Sequence, residues 1–173
     1  MSACSQSGGL LRRTGCRADG HLSDIYVAST VNQFVRPLQH DGIGFKFTYD
    51  VFAPLAMDKL DICSLFYNLL SNAQQASAKA PCPRSVDLKV SAAGTALRII
   101  LSNTVDERHF DMRDIQLGRS TKDRPQDHGL GLAAIRRIVA RHGGDIRYSQ
   151  SGPTVTADVV IPNAVAADAK PYK

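Results

Sequence analysis

Between His128 and Gly144 the chain reads HGLGLAAIRRIVARHGG, a helical pattern entered through Gly129 and Gly131 and stopped by Gly143 and Gly144. Punctuation at both ends fixes where such a helix starts and stops. The stretch ahead of it, from Ser120 to Asp127, is polar and carries Lys122 and Arg124 beside two aspartates, so a solvated loop feeds directly into the helix. Glycines let a backbone come close to another group. A helix N-terminus adds unpaired N–H groups and a positive dipole end, which suit an anion such as phosphate. The same G-x-G pattern also serves plain close packing, and on this segment alone both readings stay open.

A second segment narrows the choice. Asp58 is placed to cap a helix, with Asp61 three residues on, and Ile62, Leu65, Phe66, Leu69, Ala73 and Ala76 recur at helical spacing. Pro81 and Pro83 end the run. Away from the apolar stripe lie Asn68, Asn72, Gln75 and Lys79, spaced four, three and four, so they share one face. A solvated face is one reading of that pattern. The other is chemical: two amide oxygens one turn apart offer a hard cation such as magnesium a partial shell, to be completed by phosphates and water.

The remaining segments supply architecture. Leu22–Leu38 has helical spacing, with Pro37 weakening its end. Phe45, Phe47 and Tyr49 alternate, as do Val86, Leu88 and Val90, then Leu97, Ile99 and Leu101 with Gly94 between as a turn. Ile146 and Tyr148, then Val155, Ala157, Val159 and Ile161, give two more strands around Ser151–Pro153. Three substantial helices and about five strands, mostly joined by hairpins, predict an α+β two-layer sandwich: a mixed, mostly antiparallel sheet with the helices on one face. Val105–Asp127 is too long for an ordinary connection, and a short helical turn is expected within Phe110–Leu117.

Composition sets outer bounds. At 173 residues, 43% hydrophobic and 21% charged, the chain fits one soluble domain. Lys plus Arg number 21 against 16 Asp plus Glu, a modest excess that suits a polyanionic ligand. No aromatic-interleaved basic stripe points to nucleic acid. Cys4, Cys16, Cys63 and Cys82 form no C-x-x-C pair, which predicts reduced thiols, a cytoplasmic setting and Cys63 as a small core residue. No apolar run is long enough to span a bilayer. Residues 1–20 read as a disordered leader or linker remnant, 21–162 as the domain, and 163–173 as a polar tail.

An N-x-x-x-N-A helix, two alternating apolar runs, a long polar loop, H-G-L-G-L and then H-G-G: this ordered set resembles the ATP-binding catalytic domain of sensor histidine kinases, within the GHKL superfamily. The resemblance covers about Asp24–Pro162. It looks closest to the quorum-sensing, peptide-responsive branch, through Ser120-Thr121-Lys122 ahead of the glycines and the G-x-x-x-D pattern of Gly20–Val27. It implies a Bergerat-type fold that binds ATP and Mg2+.

Residue by residue, the resemblance implies that Asn72 and Asn68 meet magnesium. His128, Gly129, Leu130 and Gly131 would hold phosphate at the hinge of a lid, with Arg119 and Lys122 as further phosphate contacts. Where hydrolysing relatives carry a glutamate, this chain has Asn68, whose amide cannot take a proton from water. That favours transfer of the γ-phosphate over hydrolysis. The D-x-G-x-G box of many histidine kinases is missing after Leu101; Asn103 is the expected adenine contact, with Asp106 the fallback. None of His21, His40, His109, His128 and His142 opens a phosphoacceptor helix. The resemblance therefore implies partners: a helical phosphoacceptor and dimerisation domain, and a response regulator downstream. A nucleotide-free interaction module and a serine kinase of the anti-sigma-factor type are the alternatives.

Overall fold

The computed structural model describes residues 22–51, 54–116 and 130–163. Five strands form one sheet: β1 (Gly44–Asp50), β2 (Ser85–Ala93), β3 (Ala96–Thr104), β4 (Asp145–Ser151) and β5 (Thr154–Pro162), in spatial order β1-β2-β3-β5-β4. Only β1 and β2 run parallel, with Phe45 opposite Val86 and Phe47 opposite Leu88. The other pairs are antiparallel, so the sheet is mixed as predicted. A parallel pair needs a crossover, and α2 (Lys59–Lys79) supplies it.

The helices α1 (Leu22–His40), α2 and α4 (Leu130–Arg141) pack on the sheet, and α3 (Met112–Gln116) is a single short turn inside the expected Phe110–Leu117. Strand alternation decides which face they cover. Val86, Leu88 and Val90, Leu97, Ile99 and Leu101, and Ala157, Val159 and Ile161 all point into the helical layer and are buried. They meet Val31 and Phe34 of α1, Leu65, Phe66 and Leu69 of α2, and Ile135, Ile138 and Val139 of α4. The opposite face is polar, with Arg98 of β3 donating to both oxygens of Asp158 on β5 at 2.9 and 2.7 Å.

Local signals explain the helix ends. Asp58 caps α2 by accepting from the Leu60 and Asp61 amides at 2.8 and 2.9 Å. The C-terminus of α4 closes as a Schellman motif: Gly144 N–H donates to the Val139 carbonyl and Gly143 N–H to that of Ala140, with Gly143 at φ +66°. Helix α1 outruns its expected end at Leu38. Pro37 falls in the last turn, where its own carbonyl still accepts from the Asp41 amide, so the helix reaches His40. Cys63 is half-buried beside the core rather than inside it.

Candidate functional site

A cavity of about 180 Å³ opens between α2 and the segment that carries α3. Its floor is the helix-facing side of the sheet, from Leu101, Val155 and Ala157, and Tyr148 stands at the β4 side. One wall is α2, through Leu69, Asn72, Ala73, Gln75, Ala76 and Lys79; Leu132 of α4 and Phe110 and Ile115 above complete it. Three of the four residues that the sequence places on one polar helix face therefore line one cavity.

The fourth, Asn68, joins Asn72 beside α4. A Cβ on Gly131 would stand 3.2 Å from Asn72 Oδ1 and 3.3 Å from Asn68 Oδ1. Two amide oxygens thus converge where only a hydrogen occupies the glycine. Asn68 donates from Nδ2 to the Ser64 carbonyl one turn back, at 2.7 Å, which leaves its oxygen as the free function. Asn72 Nδ2 is buried without a hydrogen-bond partner. An orphaned buried amide is costly, and such groups are met where a ligand completes the site.

These features fit a magnesium–phosphate group. Hard oxygen donors, few in number and set beside a backbone that approaches closely, are what magnesium held jointly with phosphate requires. Among the described residues, no cluster of three or more His, Cys, Asp or Glu could hold a metal instead.

Asn103, at the end of β3, is 9% exposed and lines the same cavity. It donates from Nδ2 to the Thr104 carbonyl at 3.0 Å, so its oxygen remains as an acceptor for an amino group. Asp106 lines the cavity too but is engaged: it accepts from Arg108 Nε and Nη2 at 3.2 and 3.3 Å and contacts His109 Nδ1 at 2.9 Å. The Arg108 bonds first, then that of His109, hold its carboxyl well below the usual carboxylate range. Of the two expected adenine contacts, Asn103 is thus the one with a free acceptor.

Leu130 opens α4, and Arg119, Lys122, His128 and Gly129 lie outside the described residues. So do residues 1–21 and 164–173. The sequence reading missed Tyr148, Phe110 and Ile115 as cavity residues. Burial pushes the Tyr148 phenol up to about 12, against a smaller opposing effect from Arg136. Its alternation with Ile146 revealed a strand, and facing Ala157 across the β4–β5 ladder was the available sign that it points inward.

An open mixed sheet with helices on one face is the α+β two-layer architecture that the sequence predicts. Residues 57–162 match the GHKL domain family, and the chain belongs to it. The fold is that of histidine kinase catalytic domains. The nucleotide-free catalytic domain of histidine kinase ThkA superposes with a TM-score of 0.63 at 19% identity, covering 81% of this chain and 91% of that one. The mycobacterial sensor histidine kinase MprB gives 0.60 at 20%, covering 80% and 92%. Full-length ShkA in complex with AMPPNP gives 0.64 at 17%, covering 85% of this chain and 31% of ShkA. No curated protein matches the sequence. Among the described residues no helix is long and apolar enough to cross a membrane.

Proposed function

We propose that this chain is the ATP-binding catalytic domain of a sensor histidine kinase, donating the γ-phosphate of ATP to a histidine on a separate helical dimerisation domain. The observation that carries the reading is the meeting of Asn68 Oδ1 and Asn72 Oδ1 at Gly131, beside an apolar cavity that Asn72 and Asn103 both line. Membership of the GHKL family and the likeness to ThkA, MprB and AMPPNP-bound ShkA support it.

Each group has a role in this scheme. Leu101, Val155 and Ala157 exclude water from the base, and the Asn103 oxygen accepts from the adenine amino group. Asn72 holds magnesium through Oδ1, with Asn68 beside it; the metal supplies charge neutralisation at the phosphates. Gly131 lets the α4 backbone approach those phosphates. Lys122, His128, Gly129 and Leu130 complete the phosphate end in this reading. Asn68 cannot deprotonate water, so bound ATP is kept for an acceptor brought by the partner domain. The phosphorylated partner would pass the group to a response regulator, in a cytoplasmic setting. The isolated chain binds ATP without autophosphorylating.

Calorimetric titration with AMPPNP, with and without magnesium, tests this. Magnesium-dependent binding lost in Asn72→Ala is the expected result. Absence of heat at millimolar ligand, or acid-labile phosphohistidine formed on the isolated chain, would contradict it.

A further inference from the structure

A charged cluster lies at the opposite end of the helix pair that builds the site. Asp61, in the first turn of α2, is buried, with a side chain 9% exposed. Its carboxylate accepts from Arg141 Nη1 at 2.8 and 2.9 Å and from His142 Nε2 at 2.8 Å. A carboxylate can only accept, so Nε2 carries the proton. Burial opposes ionisation of Asp61, yet the bonds from His142 and Arg141 hold its carboxyl below the usual value. Burying a carboxylate is costly unless its oxygens are paired, so the bonds from Arg141 and His142 tie the start of α2 to the end of α4.

The arrangement it specifies is the register of α2 against α4. The two helices run antiparallel: α4 starts at Leu130 with Gly131 beside Asn68 and Asn72, and ends with Arg141 and His142 beside Asp61. Asp61 precedes Asn68 by seven residues, about 10 Å of helix. Gly131 precedes Arg141 by ten, about 15 Å. A slip of one residue at the charged end would carry Gly131 by about 1.5 Å along α4. That is half of the 3.2 Å separating its missing Cβ from the Asn72 oxygen.

We infer that Asp61, with Arg141 and His142, is a positioning cluster that holds Asn68 and Asn72 in place against Gly131 for the metal–phosphate end of the site. The inference rests on the nucleotide reading above and assigns the cluster no contact with ligand. It acts at one end of the cavity only, because Asn103 is carried by β3 and Asp61 touches no residue of that strand through its side-chain bonds.

The test separates the two ends with two probes, AMPPNP with magnesium and ADP in EDTA, titrated into the full chain. Asp61→Asn should weaken the magnesium-dependent probe several-fold and leave ADP affinity in EDTA unchanged. Arg141→Met, at a half-exposed position, should move the same probe in the same direction, and Arg141→Lys should restore it. Equal weakening of both probes, or of neither, in variants that unfold at the wild-type midpoint would overturn the inference. Wild-type chain that binds neither probe would overturn the nucleotide reading, and this inference with it.

Discussion

Arg136 on α4 donates from Nη2 to the Ile115 carbonyl at 2.5 Å, fastening the short helix α3 to the helix that begins at the candidate site. Ile115 is a cavity wall, so this bond holds part of the roof in place. Arg136→Met removes the donor and keeps most of the side-chain bulk. We expect faster protease cleavage within Val105–Gln116 and a several-fold loss of AMPPNP affinity. Cleavage at the wild-type rate would show that α3 is held by other contacts.

Gly131→Ala tests the close approach directly. The new Cβ would sit 3.2–3.3 Å from two amide oxygens, tighter than carbon and oxygen normally accept. Asn68 and Asn72 must then shift, and magnesium-dependent AMPPNP binding should fall about tenfold or more, in the range for displaced ligand geometry. Calorimetry beside a thermal melt checks that the loss is local.

At the far end of α4, Gly144→Ala should act on stability instead. Its Cβ would meet the Val160 carbonyl at 2.5 Å and Ile161 Cγ1 at 2.9 Å. The Val160 carbonyl is backbone held in the sheet and the Ile161 side chain is buried, so neither retreats cheaply, and overpacking of this kind costs about 1–3 kcal/mol. Urea unfolding followed by circular dichroism measures it, and a midpoint equal to wild type would count against the packing described.

Tyr148 gives a pH signature. Its raised pKa of about 12 means the folded chain holds the phenolic proton more tightly than the unfolded one. The stabilising contribution is whole below the ordinary value of 10.0 and is lost as pH rises through the folded value. Ultraviolet titration of tyrosinate should contain a late step near pH 12 that Tyr148→Phe removes. The same variant should flatten the fall in stability above pH 10.

Asn103→Ala and Asp106→Ala separate the two adenine contacts. The first removes a cavity acceptor and should cost nucleotide affinity about tenfold, near the worth of one buried hydrogen bond. The second frees Arg108 and His109 and should leave affinity nearly unchanged. Titration with AMPPNP reads both, and the reverse ranking would move the contact to Asp106.

The fold was largely legible because its signals are local. Period-two alternation in β2, β3 and β5 and the 3.6 period in α2 gave both faces of the sandwich, and Asp58 and Gly143 marked helix ends by their own chemistry. The asparagine face of α2 was legible for the same reason. The Asp61 cluster was not, since it depends on partners far along the chain, Arg141 and His142; nor was the place of Tyr148 in a cavity that α2, β3 and the α3 segment assemble around it. Asp61 looked like a capping residue, and a helical period has no means of indicating that an acidic side chain is turned inward toward another helix.

The strand order carries a consequence for how the chain is made. Among the described residues β5 is the last strand in sequence, yet it lies between β3 and β4. While the polypeptide emerges from the ribosome, the apolar strand Ala96–Thr104 keeps one edge unpaired until Thr154–Pro162 arrives to cover it. Unpaired apolar edges invite pairing with other chains. A product broken off before Thr154 would therefore be exposed to aggregation, and synthesis of those nine strand residues closes the gap between β3 and β4.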